Sequence, residues 1–400
     1  VSVARPLGPN ATIGVVGAGA MGAGIAQVAA QRGHPVVLAD AFAAAISKAM
    51  DGHHKAMDRE VEKGRLTRTD ADAVLARITY VTGMSDAELK RFADCALVIE
   101  AIIEDLKAKQ TLLQALEQVL APDAVLGTNT SSLAVAALAG GCAHPERVVG
   151  IHFFNPAPVM PLVEIIPALA TDSSVTDAAR ALVERWGKVP VVASDTPGFI
   201  VNRIARPFYG EALRILEEGI ADAATIDWAM RTLGGFRMGP FELMDFIGND
   251  VNYAVTRTVF EAMYFDPRYR PALTQRRLVE SGWLGRKAKR GYYDYRDGST
   301  PPVPTEDAAL GRVIVDRILA MLINEAVDAV QLRVASPADI ELAMTKGVNY
   351  PKGLLAWGDE LGAGTVLATL ESLQQEYGED RYRASPLLRR LAKSGGRLLE

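Results

Sequence analysis

The amino-acid sequence predicts an α/β domain built on a parallel sheet, followed by two all-α domains in tandem. Three observations carry this reading. Short apolar runs alternate with helical stretches through the first third of the chain, the order that builds a parallel sheet covered by helices. Strand patterns nearly vanish from Pro197 onward. Within the helical part, one stretch recurs at an offset of 114 residues.

Taken in order, residues 13–16 read as a first strand, 21–32 as a helix and 36–39 as a second strand. A polar stretch with helical character, 42–76, follows; its Lys and Arg residues suit a solvated helix pair. Residues 97–100 and 125–128 are further strands with the helical 107–120 between them, and 148–152 is another. Beyond Pro197, residues 199–218, 222–233, 240–263 and 271–281 all read as helices. Residues 297–305, rich in Gly, Ser, Thr and Pro, read as a linker, and helices resume after it.

The repeat spans that linker. Arg203 aligns with Arg317, Glu211 with Glu325, Ile226 with Ile340 and Met230 with Met344. Gly239 aligns with Gly353, Asp245 with Asp359 and Gly248 with Gly362. Shared helical bias does not bring glycines and an aspartate into step, so the helical part reads as a duplicated domain. The expected boundaries are 1–193 for the α/β domain, 194–296 for the first helical copy and 297–400 for the second.

Composition narrows the function. With 400 residues, 49% hydrophobic and 23% charged, the chain suits two or three globular domains. A net charge of −5 argues against nucleic acid or an anionic membrane surface as the main partner. The two cysteines make neither a metal spacing nor a disulfide framework, which suits a reducing, cytoplasmic setting. Residues 1–10 lack the apolar core of a signal peptide. No apolar run approaches the ~18 residues of a membrane helix.

Gly17-Ala18-Gly19-Ala20-Met21-Gly22 is a G-x-G-x-x-G between a strand and a helix, the context in which that spacing signals a Rossmann-like dinucleotide site. Gly17 permits the tight turn, Gly19 lets backbone N–H groups approach a pyrophosphate, and Gly22 lets helix and strand pack closely. Asp40 ends the second strand, 18 residues after Gly22. A carboxylate there accepts from the ribose hydroxyls and repels a 2′-phosphate, so NAD is expected over NADP. Glu104 and Lys109 follow the strand at 97–100, and Asn129 the strand at 125–128. All three are expected beside the cofactor, beyond the carboxyl ends of the strands.

Three further stretches stand out: Asn129-Thr130-Ser131-Ser132; His152-Phe153-Phe154-Asn155-Pro156 with Glu164 downstream; and Pro197-Gly198-Phe199-Ile200-Val201-Asn202-Arg203. With these blocks the sequence resembles the 3-hydroxyacyl-CoA dehydrogenase family nearly end to end, continuing through Gly239-Pro240-Phe241-Glu242-Leu243 and Gly291-Tyr292-Tyr293. The resemblance implies NAD-dependent oxidation of an (S)-3-hydroxyacyl-CoA to the 3-oxoacyl-CoA in fatty-acid or related degradation. It implies His152 as catalytic base, Glu164 as its carboxylate partner, and Ser131 and Asn202 as groups on the reacting oxygen. The residue types fit: oxidising an alcohol needs a base near neutrality, and an imidazole with a pKa near ~6.5 supplies one. Glu164 reaches His152 if the chain turns back after Pro161.

The resemblance also implies that the helical domain is where shorter members associate. The second copy then stands in for a partner as an intramolecular pseudo-dimer, with a homodimer through other surfaces left open. That copy has Asp316 where the first has Asn202. A carboxylated acyl end would call for an arginine near the site, and Arg203 and Arg206 are the candidates. Two rival readings stand beside it: a two-domain dehydrogenase of free 3-hydroxy acids, against which the His152–Glu164 pair argues, and a non-catalytic nucleotide-binding or structural protein that kept the fold.

Overall fold

A computed structural model describes residues 7–399. The leader reading over 1–10 thus falls partly on residues outside the described ones. The chain forms two compact units that meet in sequence at Thr196 and Pro197, three residues beyond the expected boundary. Among the described residues no helix is long and apolar enough to cross a membrane.

The first unit holds one eight-stranded sheet. Its strands are β1 (Ile13–Val16), β2 (Val36–Asp40), β3 (Ile78–Thr82), β4 (Leu97–Glu100), β5 (Val125–Thr128), β6 (Val148–Phe153), β7 (Leu162–Pro167) and β8 (Val189–Val192). Their order is β3-β2-β1-β4-β5-β6-β7-β8. The connecting helices are α1 (Ala20–Gln31), α2 (Ala43–Glu62), α3 (Arg68–Ala76), α4 (Asp86–Leu89), α5 (Leu106–Glu117), α6 (Val135–Ala139) and α7 (Ser173–Arg185). Strands β1, β4 and β5 are buried at every position, which explains their unbroken apolar runs. Ile25 and Val28 of α1, Met57 of α2 and Leu182 of α7 close the core over them. The chain leaves β1 toward β2 and β3, then returns to β4 on β1's other side. That reversal opens the crevice in which such sheets bind ligands.

Five of the eight strands are those expected. The other three, β3, β7 and β8, went unread as strands. Two are edges: β3 is exposed or half-exposed at three of its five positions, and β8 carries Pro190, which the ladder tolerates at an edge. β7 corrects the expectation of a wholly parallel sheet. It runs antiparallel to β6 and parallel to β8, so the chain does turn back after Pro161.

The second unit is helical. Its first copy comprises α8 (Val201–Ile204), α9 (Arg206–Glu217), α10 (Ala223–Trp228), α11 (Pro240–Ile247), α12 (Asn249–Ala262) and α13 (Leu273–Glu280). The second comprises α14 (Ala308–Gln331), α15 (Pro337–Leu342), α16 (Leu354–Leu361), α17 (Ala363–Tyr377) and α18 (Pro386–Ser394). Two long expected helices are split. Residues 199–218 break at Ala205, and 240–263 break at Gly248, where φ is +106°. Gly362 repeats that break at φ +83°.

The copies match in order, with the continuous α14 standing where the first copy has α8 and α9. α10 and α15, and α11 and α16, share length and the offset of 114. A turn of π-helix follows α10 and α15 alike, over Ala229–Leu233 and Ala343–Gly347. Asp227 accepts from the backbone N–H of Phe241 and Glu242 at the start of α11; Glu341 accepts from Leu355 and Ala356 at the start of α16. Each carboxylate occupies a helix N-terminus, where orphan N–H groups and the dipole favour it.

The two copies nevertheless form one compact unit, because α14 is shared. It is buried almost continuously from Val315 to Ala329 and packs against α9 of the first copy and α16 and α17 of its own. Its buried positions are mostly apolar, and the charged ones among them, Arg317, Glu325 and Asp328, are paired. Reciprocal ion pairs cross between the copies. Arg203 binds Glu325 at 2.6 Å, and its equivalent Arg317 binds Glu211, the equivalent of Glu325, at 3.1 Å. The hydroxyl of Tyr269 donates to Glu325, and that of Tyr382 to Glu211. Such exchange of equal partners is the signature of an isologous contact.

Candidate active site

The glycine turn lies between the ends of β1 and β4. Gly17 has φ +102°, and a Cβ on it would come within 2.5 Å of the Ala101 carbonyl oxygen; on Gly22 a Cβ would come within 1.8 Å of the Gly17 oxygen. No side chain is tolerated at either place. Gly19 differs: a Cβ there meets nothing within 4 Å. It caps α1 with no side-chain hydrogen bond, so the first N–H groups of that helix face open space, as a phosphate requires. Asp40 accepts from the N–H of Ala18 at 2.7 Å and of Phe42 at 2.9 Å.

A cavity of about 700 Å³ includes Gly17, Gly19, Met21 and Asp40 in its lining, together with Phe42 and Ile103. The last two are 73% and 72% exposed. Sequence reasoning passed over both, though each adjoins a residue it did single out, near Asp40 and Glu104. Large apolar side chains left in water at a cavity mouth suit the flanks of a planar base. The residues present therefore fit a dinucleotide.

Beyond the end of β4 lies a buried ionic knot. Lys109, 1% exposed, donates to both carboxylate oxygens of Glu100 at 2.9 and 2.8 Å and lies 3.3 Å from Glu104. Thr128 donates to Glu100 as well. Glu104 accepts from the hydroxyl of Thr130 and from the backbone N–H groups of Ser131 and Ser132 at 2.7 to 3.0 Å. Burial works against its charge, but Lys109 and these donors outweigh burial and hold its carboxyl below the usual range. The ammonium of Lys109 is engaged by two carboxylates, the buried Glu100 and the exposed Glu104. Glu104 in turn fixes the turn that carries Ser131, whose hydroxyl also reaches Glu104 at 3.3 Å.

Asn129 ties three strand ends together. Its N–H donates to the Glu100 carbonyl at 2.9 Å, and its side-chain oxygen accepts from the Phe153 N–H at 2.8 Å. Phe153 follows His152, so the amide fixes the end of β6 at the catalytic candidate. In the antiparallel ladder His152 stands opposite Glu164, and opposed side chains share a face of the sheet. His152 Nδ1 lies 2.7 Å from Glu164 Oε2. The carboxylate is fully buried and the imidazole 6% exposed. A buried carboxylate at Nδ1 fixes the tautomer and directs the other ring nitrogen's chemistry.

Lys188 is a further residue the sequence did not flag. Its ammonium donates to the carbonyls of Ala157, Pro158 and Met160 at 2.6, 3.2 and 2.8 Å, bracing the loop between β6 and β7. Burial pushes its pKa down to about 8. Asn202 lies on α8 in the helical unit, half-buried.

The chain matches known proteins along nearly its whole length. The family model described as 3-hydroxyacyl-CoA dehydrogenase, NAD binding domain, matches residues 12–196. The model of the same family's C-terminal domain matches twice, over 198–295 and 313–397. A 3-hydroxyadipyl-CoA dehydrogenase of Escherichia coli (strain K12) is 40% identical over 95% of this chain and 97% of its own. A crystal structure described as 3-hydroxybutyryl-CoA dehydrogenase from Escherichia coli K12 has 39% identity and a TM-score of 0.90, covering 96% of this chain and 99% of that one. A 3-hydroxybutyryl-CoA dehydrogenase of Bradyrhizobium diazoefficiens is 41% identical over 73% of this chain and 97% of its own.

Proposed function

The chain belongs to the 3-hydroxyacyl-CoA dehydrogenase family of NAD-dependent oxidoreductases, and from that premise we propose that it oxidises (S)-3-hydroxyacyl-CoA to 3-oxoacyl-CoA with His152 as general base. The observation that carries this reading is the His152–Glu164 pair, 2.7 Å apart and opposed across the ladder.

NAD, when bound, supplies the acceptor for the hydride that leaves C3. The chain's residues do the rest. Gly17, Gly19, Met21 and Gly22 receive the pyrophosphate at the start of α1, and Asp40 holds the adenosine ribose. The C3 hydroxyl proton passes to His152, and Glu164 stabilises the imidazolium that results. Ser131 and Asn202 hydrogen-bond the C3 oxygen as it changes from hydroxyl to carbonyl. Glu104, with Lys109 behind it, positions Ser131, and Asn129 positions His152. The second helical copy takes the place of a partner subunit's helical domain, a reading the reciprocal Arg203–Glu325 and Arg317–Glu211 pairs support. The setting that suits this chemistry is cytoplasmic acyl-CoA degradation. A non-catalytic descendant would be expected to have lost part of the reacting set, and His152, Glu164, Ser131 and Asn202 are all present.

The test is NADH formation with a panel of 3-hydroxyacyl-CoAs, run on the wild type and on His152→Ala. The variant is expected to bind NAD normally but to transfer hydride slower by roughly 10²–10⁴. Wild-type turnover by His152→Ala would remove the base from the mechanism.

A further inference from the structure

Two arginines follow Asn202, and the structure separates their roles. Arg203 is engaged: its Nε donates to Glu325 at 2.6 Å and its Nη2 to Asp328 at 3.2 Å. Arg206 opens α9 and is equally buried, 6% exposed. Its Nη1 donates to the Thr256 hydroxyl at 3.0 Å, and its guanidinium lies 5.0 Å from the centre of the Tyr209 ring. Among the described residues no acidic side chain pairs with it, and its Nε has no hydrogen-bond partner. Nη2 has none there either. The Tyr350 hydroxyl, a neighbour from the second copy that interacts electrostatically with Arg206, is also without a partner.

An arginine cannot shed its proton to escape this situation, and a buried charge without a counter-ion is costly. Burial pushes its pKa down, the direction expected of a cation short of an anion. The two nitrogens without a partner, Nε and Nη2, lie on the side of the guanidinium fork that grips a carboxylate through two parallel bonds.

We propose that Arg206 receives a carboxylate at the far end of the acyl chain, so that the preferred substrate is the 3-hydroxyacyl thioester of a dicarboxylic acid. This rests on the reading above, in which Asn202 holds the C3 oxygen. Asn202 and Arg206 are four residues apart, and the break between them at Ala205 is slight, since that residue stays in the right-handed helical region at φ −77° and ψ −7°. Residues at that spacing share a side of the helix, separated by about one pitch of 5.4 Å. Three carbon–carbon bonds of roughly 1.5 Å carry the chain about 4 Å from C3 to a terminal C6, leaving a hydrogen bond's reach to the guanidinium. A six-carbon diacid matches that gap; a four-carbon chain ends short of it. A relative that matches nearly the whole chain is named for the six-carbon diacid thioester, 3-hydroxyadipyl-CoA.

The experiment compares kcat/KM for 3-hydroxyadipyl-CoA with that for 3-hydroxyhexanoyl-CoA, which has the same carbon count and a methyl end. Wild type is expected to prefer the diacid by roughly 10- to 100-fold, the worth of a charge-assisted pair. Arg206→Met should erase the preference, chiefly through KM, and Arg206→Lys should restore part of it by keeping the charge without the fork. A wild type without the preference overturns the proposal. So does an Arg206→Met ratio equal to wild type, or an equal fall for both substrates, which would place Arg206 on the thioester's common part. If Arg206→Met does not fold, the wild-type ratio and Arg206→Lys decide. Absence of NADH from every thioester with wild type would instead overturn the reading on which the proposal rests.

Discussion

In the first helical copy Asn202 precedes Arg203; in the second the matching position before Arg317 is Asp316. Around that difference the copies are built alike. Gly248 and Gly362 make the same break, and Asp227 and Glu341 hold the same helix N-terminus. Asp245 accepts from the N–H groups of Tyr292 and Tyr293, and its equivalent Asp359 from those of Leu398 and Leu399, far later in its own copy's sequence. What packing needs is present twice, while the amide proposed to hold the reacting oxygen is present once. A second copy freed from chemistry still has to bury a face and neutralise charges.

The severest way to break the comparison is to remove the second copy. Ending the chain at Thr305 strips α14 from α9 and leaves Arg203 and Glu211 without Glu325 and Arg317. We expect insoluble protein, or a species that self-associates through the bared face, read by light scattering after gel filtration. A stable, fully active monomer would show that the copies do not depend on each other.

Next comes exchange of the one residue that sets them apart. Asn202→Asp makes the first copy like the second and places an anion where the alkoxide develops. A fall in kcat of roughly 10²–10³ is expected, the usual worth of such a donor. Asp316→Asn should leave kcat within twofold. Equal effects from the two would deny that chemistry is confined to the first copy.

The reciprocal ion pairs look alike, but their carboxyls are shifted in opposite directions. Burial opposes ionisation of both Glu325 and Glu211. Arg203 and Arg268, with the Tyr269 hydroxyl, overcome it at Glu325 and hold that carboxyl below the usual range. At Glu211 burial prevails over Arg317 and Arg381, and the carboxyl is raised. A lowered folded pKa contributes stability above the unfolded value of about 4.3 and loses it as pH falls through the folded value. A raised one contributes below about 4.3 and loses it as pH rises. Urea titrations at pH 7 should therefore show Glu325→Gln costing more than Glu211→Gln, by about 1–3 kcal/mol. The gap should narrow on acidification. A gap that widens at low pH would contradict the assignment.

The smallest effect sharpens the comparison at a matched glycine. A Cβ on Gly239 would lie 2.4 Å from the Asp227 Cα, which is backbone; on Gly353 the nearest atoms are the carboxyl end of Glu341, a side chain that yields by giving up its bonds to Leu355 and Ala356 while the backbone stays. Gly239→Ala should cost about 1–3 kcal/mol as overpacking does. Gly353→Ala should cost distinctly less, and equal midpoints in thermal unfolding would refute the distinction.

Much of this molecule is legible from local pattern. The fully buried strands declare themselves as apolar runs. Gly17, Gly22 and Asp40 follow from a turn that admits no Cβ and a strand that ends on a carboxylate. The repeat shows as glycines and charges in register, because two copies of one fold need the same breaks and the same partners. The His152 block was found as a motif, although its partner strand was not.

The tertiary structure decided what depends on neighbours distant in sequence. It reversed β7, and so set Glu164 opposite His152; strand direction is a property of the pair and leaves no mark on either strand alone. It buried Lys109 against Glu100 and beside Glu104, a pairing that sequence spacing does not show. It also split Arg203 from Arg206, three residues apart and equally basic as text. A charge's role is set by whether burial leaves it a partner, and that partner, Glu325 for Arg203, stands more than a hundred residues away.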